Sequence, residues 1–164
     1  MNVFYLSSIS GQFTLGHKEA RDVHGKGHVP HKRDMPDSVY RVLRTDEDPN
    51  KIEPKDKTLD KTVLSHVNCG SRPGYKSQFI STSATLAASR LYKQLAESKG
   101  ESGLRICEFS IAAVERKCTI YDLTDEDVLN ECLQNAVMAR NFATKYKEVL
   151  LECKGRSISC TVVE

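Results

Sequence analysis

The chain of 164 residues contains no CxxC pair and no long apolar run, and its charge is nearly balanced. Without about 20 consecutive apolar residues, no membrane-spanning helix is expected. The opening Met1-Asn2-Val3-Phe4-Tyr5-Leu6 is apolar, but it has no basic residue before it and is short for a secretory core, so no signal peptide is expected. A net charge of +2, from 24 basic and 22 acidic residues, neither requires nor excludes a nucleic-acid partner. No aromatic-basic recognition motif is present. Cys69, Cys107, Cys118, Cys132, Cys153 and Cys160 are scattered, mostly among apolar neighbours, and read as reduced core residues of a cytoplasmic protein. Their even number leaves disulfides, and with them secretion, open. His17, His24, His28 and His31 are spaced by seven, four and three residues, which fits no standard zinc site, and no metal is expected.

The length suits one domain, and a composition of 39% hydrophobic and 28% charged residues is ordinary for a globular protein. Residues 1–37 are basic and rich in glycine, and an irregular segment is expected there. The domain proper should run over 38–164. Alternation predicts a strand over Ser38–Arg44, and further strands are expected over Ser77–Ser81, Leu104–Ile111 and Lys117–Tyr121. Glu148–Cys153 and Ser157–Val163 read as two strands of a hairpin turning at Lys154-Gly155. Helices are expected over Leu59–Val67, over Ala84–Ser98 with Ser83 as its cap, and from a capping box at Thr124-Asp125-Glu126-Asp127 toward Phe142. Helices interspersed among strands predict an α+β domain.

Three separated residues invite a chemical reading. Arg41 shares a strand face with Val39 and Leu43, where a guanidinium needs either a buried partner or a ligand. Ser81 and Ser83 flank Thr82 where a strand meets a helix, a place suited to capping or to binding an oxygen-rich ligand. Glu148 opens the apolar run Val149-Leu150-Leu151. By itself it is either a surface carboxylate or one aimed into a cleft.

Arg41, then Ser81-Thr82-Ser83, then Glu148-Val149-Leu150, in that order, resemble the arginine-serine-glutamate signature of toxin-like mono-ADP-ribosyltransferases. The likeness spans about Tyr40 to Leu151. It implies a split β-sandwich of two small antiparallel sheets around an NAD cleft. It further implies that Arg41 and the Ser81–Thr82–Ser83 stretch bind NAD, and that Glu148 is the catalytic glutamate. The expected activity is cleavage of the nicotinamide–ribose bond and transfer of ADP-ribose to a protein or nucleic acid, by a chain expected to be a monomer with no membrane partner. Ala139–Ala143 resembles the helix leading into the family's substrate-recognition loop. Tyr146 stands where many members carry Glu or Gln, which makes transfer to arginine less expected and gives Tyr146 an acceptor-facing or a packing role.

Other classes compete. His66 and Cys69 suggest a Cys/His hydrolase or transferase, although three residues of separation do not supply a triad. An NAD glycohydrolase, or a non-catalytic module binding NAD, ADP-ribose or nucleic acid, would share the same fold.

Overall fold

The computed structural model describes residues 35–164 apart from 71 and 73. The N-terminal histidines therefore lie outside the described residues. Among the described residues, six strands and five helices form an α+β fold. In chain order they are β1 (Ser38–Leu43), α1 (Val63–Cys69), β2 (Phe79–Ser83), α2 (Leu86–Ser98), β3 (Arg105–Ser110), α3 (Ile111–Val114), β4 (Thr119–Asp122), α4 (Glu126–Leu133), α5 (Val137–Tyr146), β5 (Glu148–Glu152) and β6 (Thr161–Val162). Among the described residues no helix is long and apolar enough to cross a membrane.

The strands form one antiparallel sheet in the order β4-β5-β2-β1-β3-β6. The junction at its centre is thin. β1 meets β2 at one residue pair, Tyr40 with Ser83, whereas β1 pairs with β3 along its whole length from Ser38 to Leu43. Both faces of the sheet are covered, so its central strands alternate between two cores. Ile80, Val149 and Leu151 join Val39, Leu43 and Phe109 on one side. Phe79 and Leu150 join Val63, Leu129, Leu133 and Ala143 beneath α1, α4 and α5 on the other.

The expected hairpin at the C-terminus does not form. Lys154 and Gly155 do turn, both at positive φ (44° and 79°), but β5 already has β4 and β2 as neighbours. With both edges of β5 taken, the chain crosses to the far end of the sheet, bridging Ile158 to Ile52 and then pairing β6 with β3. Helix starts also shift. Ser83 stays in β2 because it pairs with Glu148, and Thr85 caps α2 by accepting from the Ala88 amide. Asp125, rather than Thr124, caps α4, accepting from the amides of Asp127 and Val128. The long helix expected toward Phe142 is broken at Gln134 (φ 46°) into α4 and α5.

Two cysteines expected to be reduced are bonded: Cys118 and Cys153 flank the Thr119–Glu152 pair and close a disulfide across β4 and β5. Such bonds persist where thiols are not kept reduced. The expected cytoplasmic location rested on reduced thiols and loses that support. The bond closes a loop with a separation of 35 residues. Replacing both cysteines by alanine is expected to lower stability by about 2–4 kcal/mol, read from urea unfolding with and without a reductant.

Candidate functional site

Beyond the Tyr40–Ser83 pair the antiparallel register would set Val42 against Ser81, but no pairing occurs there. Arg41 spans the opening instead. Its Nη1 donates to the Ser81 carbonyl at 2.9 Å and its Nη2 to Glu47 Oε1 at 2.6 Å. Burial alone would raise the Glu47 carboxyl. The adjacent Arg41 guanidinium and the Arg44 amide outweigh burial and hold it below the usual carboxylate range. Arg41 thus has the buried partner that its position required, and it also lines a cleft.

That cleft gathers Arg41, Ser81, Ser83, Tyr146 and Glu148 on its walls. Period-two alternation explains the serines: Phe79, Ser81 and Ser83 share a face, and Ser83 lies directly opposite Glu148. Thr82 also borders the cleft, but its hydroxyl donates to the Val149 carbonyl at 2.7 Å, a bond within the sheet.

Ser81 is held by a residue outside the arginine-serine-glutamate set. His66, on α1, sits between two serines, with Nδ1 2.6 Å from Ser77 Oγ and Nε2 2.7 Å from Ser81 Oγ. Burial first, and then the Arg41 and Lys55 charges, lower its pKa to about 4, so the ring is neutral near pH 7. A neutral ring has one donor and one acceptor. If Ser77, whose oxygen accepts from the Phe79 amide, donates to Nδ1, then Nε2–H donates to Ser81 and the Ser81 proton is free to point toward Glu148. Gly70 packs against the ring: a Cβ there would lie 3.4 Å from His66 Cε1. Both ring nitrogens are thereby occupied by serines, and neither bonds Cys69, the partner that the Cys/His reading required.

Glu148 is only 5% exposed. Burial raises its carboxyl, the Ser81 hydroxyl offsets part of the rise, and the result is a pKa of about 7. Its position is set by an abrupt change of element. Lys147 adopts the left-handed region (φ 49°, ψ 51°), its amide donating to the Ala143 and Thr144 carbonyls and its carbonyl accepting from the Ala84 amide at 2.7 Å. A non-glycine residue there costs about 1 kcal/mol. One residue thus separates the end of α5 from Glu148, with no intervening loop.

Tyr146, at the end of α5, is buried at 6% exposure in an aromatic group. Its ring lies 4.6 Å from that of Phe142 and 5.5 Å, edge to face, from that of Tyr92. All three rings line the cleft and give it an apolar wall. The buried side-chain atoms without a hydrogen-bond partner among the described residues are Arg41 Nε, Ser89 Oγ and Glu148 Oε2, and all three residues line this one cleft. Among the described residues no group of His, Cys, Asp or Glu is placed to hold a metal ion.

In the sequence His66 stands out only beside Cys69, and Ser89, Tyr92 and Glu47 belong to no motif. His66 meets Ser81 through a sequence separation of 15, and no spacing rule signals that contact.

No family model matches the chain, and no curated protein does. Twelve solved chains match. One of them, EcPltA, is 14% identical with a TM-score of 0.50, over 76% of this chain and 70% of its own. At that identity the likeness is one of fold alone.

Proposed function

We propose that the chain is an NAD-dependent mono-ADP-ribosyltransferase of the arginine-serine-glutamate type. The observation that carries this reading is the cleft itself: the Arg41, Ser81 and Glu148 of the sequence resemblance line one cavity, and Glu148 presents a buried carboxylate oxygen with no protein partner. The thin Tyr40–Ser83 junction divides the strands into two triplets, β4-β5-β2 and β1-β3-β6, which suits a split sandwich with the cleft at the split.

In this reading Arg41 offers its unbonded Nε–H to the dinucleotide while Glu47 and the Ser81 carbonyl fix the guanidinium plane. Nicotinamide is a neutral leaving group and takes the electron pair of the bond to ribose, so strong acid catalysis is unnecessary. Glu148, ionised, accepts hydrogen bonds from the ribose hydroxyls and stabilises positive charge developing on the sugar. Ser81, oriented by His66, keeps the carboxylate pointed at that sugar. An acceptor nucleophile then forms its bond to the anomeric carbon and loses a proton. NAD hydrolysis is the second reading, favoured by one observation. Tyr146 is packed among aromatic rings and supplies no second carboxylate to orient a macromolecular acceptor.

The test is incubation with NAD labelled in its adenosine half and a mixed pool of protein, DNA and RNA. Nicotinamide release with label on one fraction is the expected result, and release without attachment indicates the glycohydrolase. NAD that is bound and recovered intact would leave a binding module and remove the enzyme.

His66 supplies a further prediction. His66→Ala and Ser81→Ala are each expected to slow nicotinamide release by about tenfold. The double variant should be little worse than either, because the two side chains act as one unit. Steady-state rates of the four proteins check this, and additive losses would separate His66 from Ser81.

A further inference from the structure

Ser89 belongs to no motif in the chain, yet its surroundings set it apart. It lies in the first turns of α2 with 1% exposure, it lines the same cleft as Glu148, and its Oγ has no hydrogen-bond partner among the described residues. A serine inside a helix ordinarily returns its hydroxyl to the carbonyl of the preceding turn. At Ser89 the backbone amide bonds Thr85 O at 3.2 Å, but the hydroxyl makes no such bond. A buried hydroxyl left unbonded destabilises the fold that carries it. Scattered through the molecule, unbonded atoms would be faults of packing. Here Arg41 Nε, Ser89 Oγ and Glu148 Oε2 all belong to walls of one cleft.

The three atoms also constrain what would satisfy them. An ionised Glu148 only accepts, Arg41 only donates, and a serine hydroxyl does both. A phosphate beside Glu148 would be repelled and would give it no proton. Sugar hydroxyls donate to the carboxylate and accept from the serine, and the rings of Tyr92 and Tyr146 offer the sugar an apolar wall. We propose that Ser89 is a further ligand-contacting residue, its hydroxyl bonded to a ribose hydroxyl of the dinucleotide held by Glu148. The assignment rests on the cleft being an NAD site.

The experiment pairs two measurements on Ser89→Ala: NAD affinity by calorimetric titration, and thermal unfolding of the protein without NAD. Loss of one neutral hydrogen bond should weaken NAD binding by about three- to tenfold. Removal of an unbonded buried hydroxyl should leave Tm unchanged or raise it by ~2–4 °C. A hydroxyl with only a structural role would lower Tm and leave affinity alone, and that result overturns the assignment. Unchanged affinity overturns it whatever Tm does. An unsubstituted protein that takes no NAD sinks the reading of the whole cleft, whereas NAD binding indifferent to Ser89→Ala sinks this assignment alone.

Discussion

Glu148→Gln is expected to lose about 10²–10³ of the rate of nicotinamide release and, in the same protein, to gain stability above neutral pH. The two effects have one cause. A carboxyl that titrates near 4.5 unfolded and at about 7 folded favours the fold while it is protonated. That contribution is complete below pH 4.5 and is lost as pH rises through 7, a difference of about 3 kcal/mol. An amide of the same shape never ionises and avoids the loss. His66 works in the opposite sense. Its folded value of about 4 lies below the ordinary imidazole value of 6.5, so its contribution is full above pH 6.5 and falls away toward pH 4. Between those limits the two groups nearly cancel, and the unsubstituted protein should show little slope of stability against pH from this pair. In Glu148→Gln only the His66 slope remains, and stability should climb with pH across that window. Urea unfolding at a series of pH values reads the slope directly. A Glu148→Gln protein no more stable than its parent at pH 8 would show that the carboxyl is not buried as described.

Arg41→Ala is expected to damage both stability and NAD affinity, and the two losses can be separated. The Arg41–Glu47 pair is largely buried, with side-chain exposures of 16% and 14%. Removing the guanidinium leaves Glu47 without its countercharge and the Ser81 carbonyl without its donor, which should cost about 3 kcal/mol, the low end for breaking a buried pair. NAD binding should weaken by more than tenfold through the lost contact. Adding Glu47→Gln to Arg41→Ala removes the stranded charge, so stability should recover in part while affinity does not. Recovery of both in the double variant would mean that Arg41 acts on the cleft only through the fold. Arg41→Lys should not substitute, because one ammonium cannot bridge Ser81 and Glu47 in the geometry of a planar fork.

What was legible in the sequence was local. The period-two runs around Val39, Ile80, Phe109 and Val149 marked their strands because each alternates between two buried faces, and the order of Arg41, Ser81 and Glu148 survived as one cleft. Failures arose where a local signal met a non-local competitor. Lys154-Gly155 does turn, but β5 had no free edge to receive a hairpin partner. Ser83 is a sound capping residue in isolation, yet its pairing with Glu148 kept it in the strand and passed the cap to Thr85. The Cys118–Cys153 bond depends on the register of β4 against β5, which cysteine counting does not reveal. His66, Ser89 and Tyr92 entered the site through tertiary packing of helices whose sequence pattern shows only an amphipathic face.

Ionised Glu148 is proposed to drive cleavage of NAD. The most direct test of that role is the rate of nicotinamide release between pH 5 and 9, measured for the unsubstituted chain beside Glu148→Gln. The rate should rise through a pKa of about 7 in the unsubstituted chain, and should stay low without that rise in the variant. Release from Glu148→Gln at the rate of its parent, with the same dependence on pH, would contradict it.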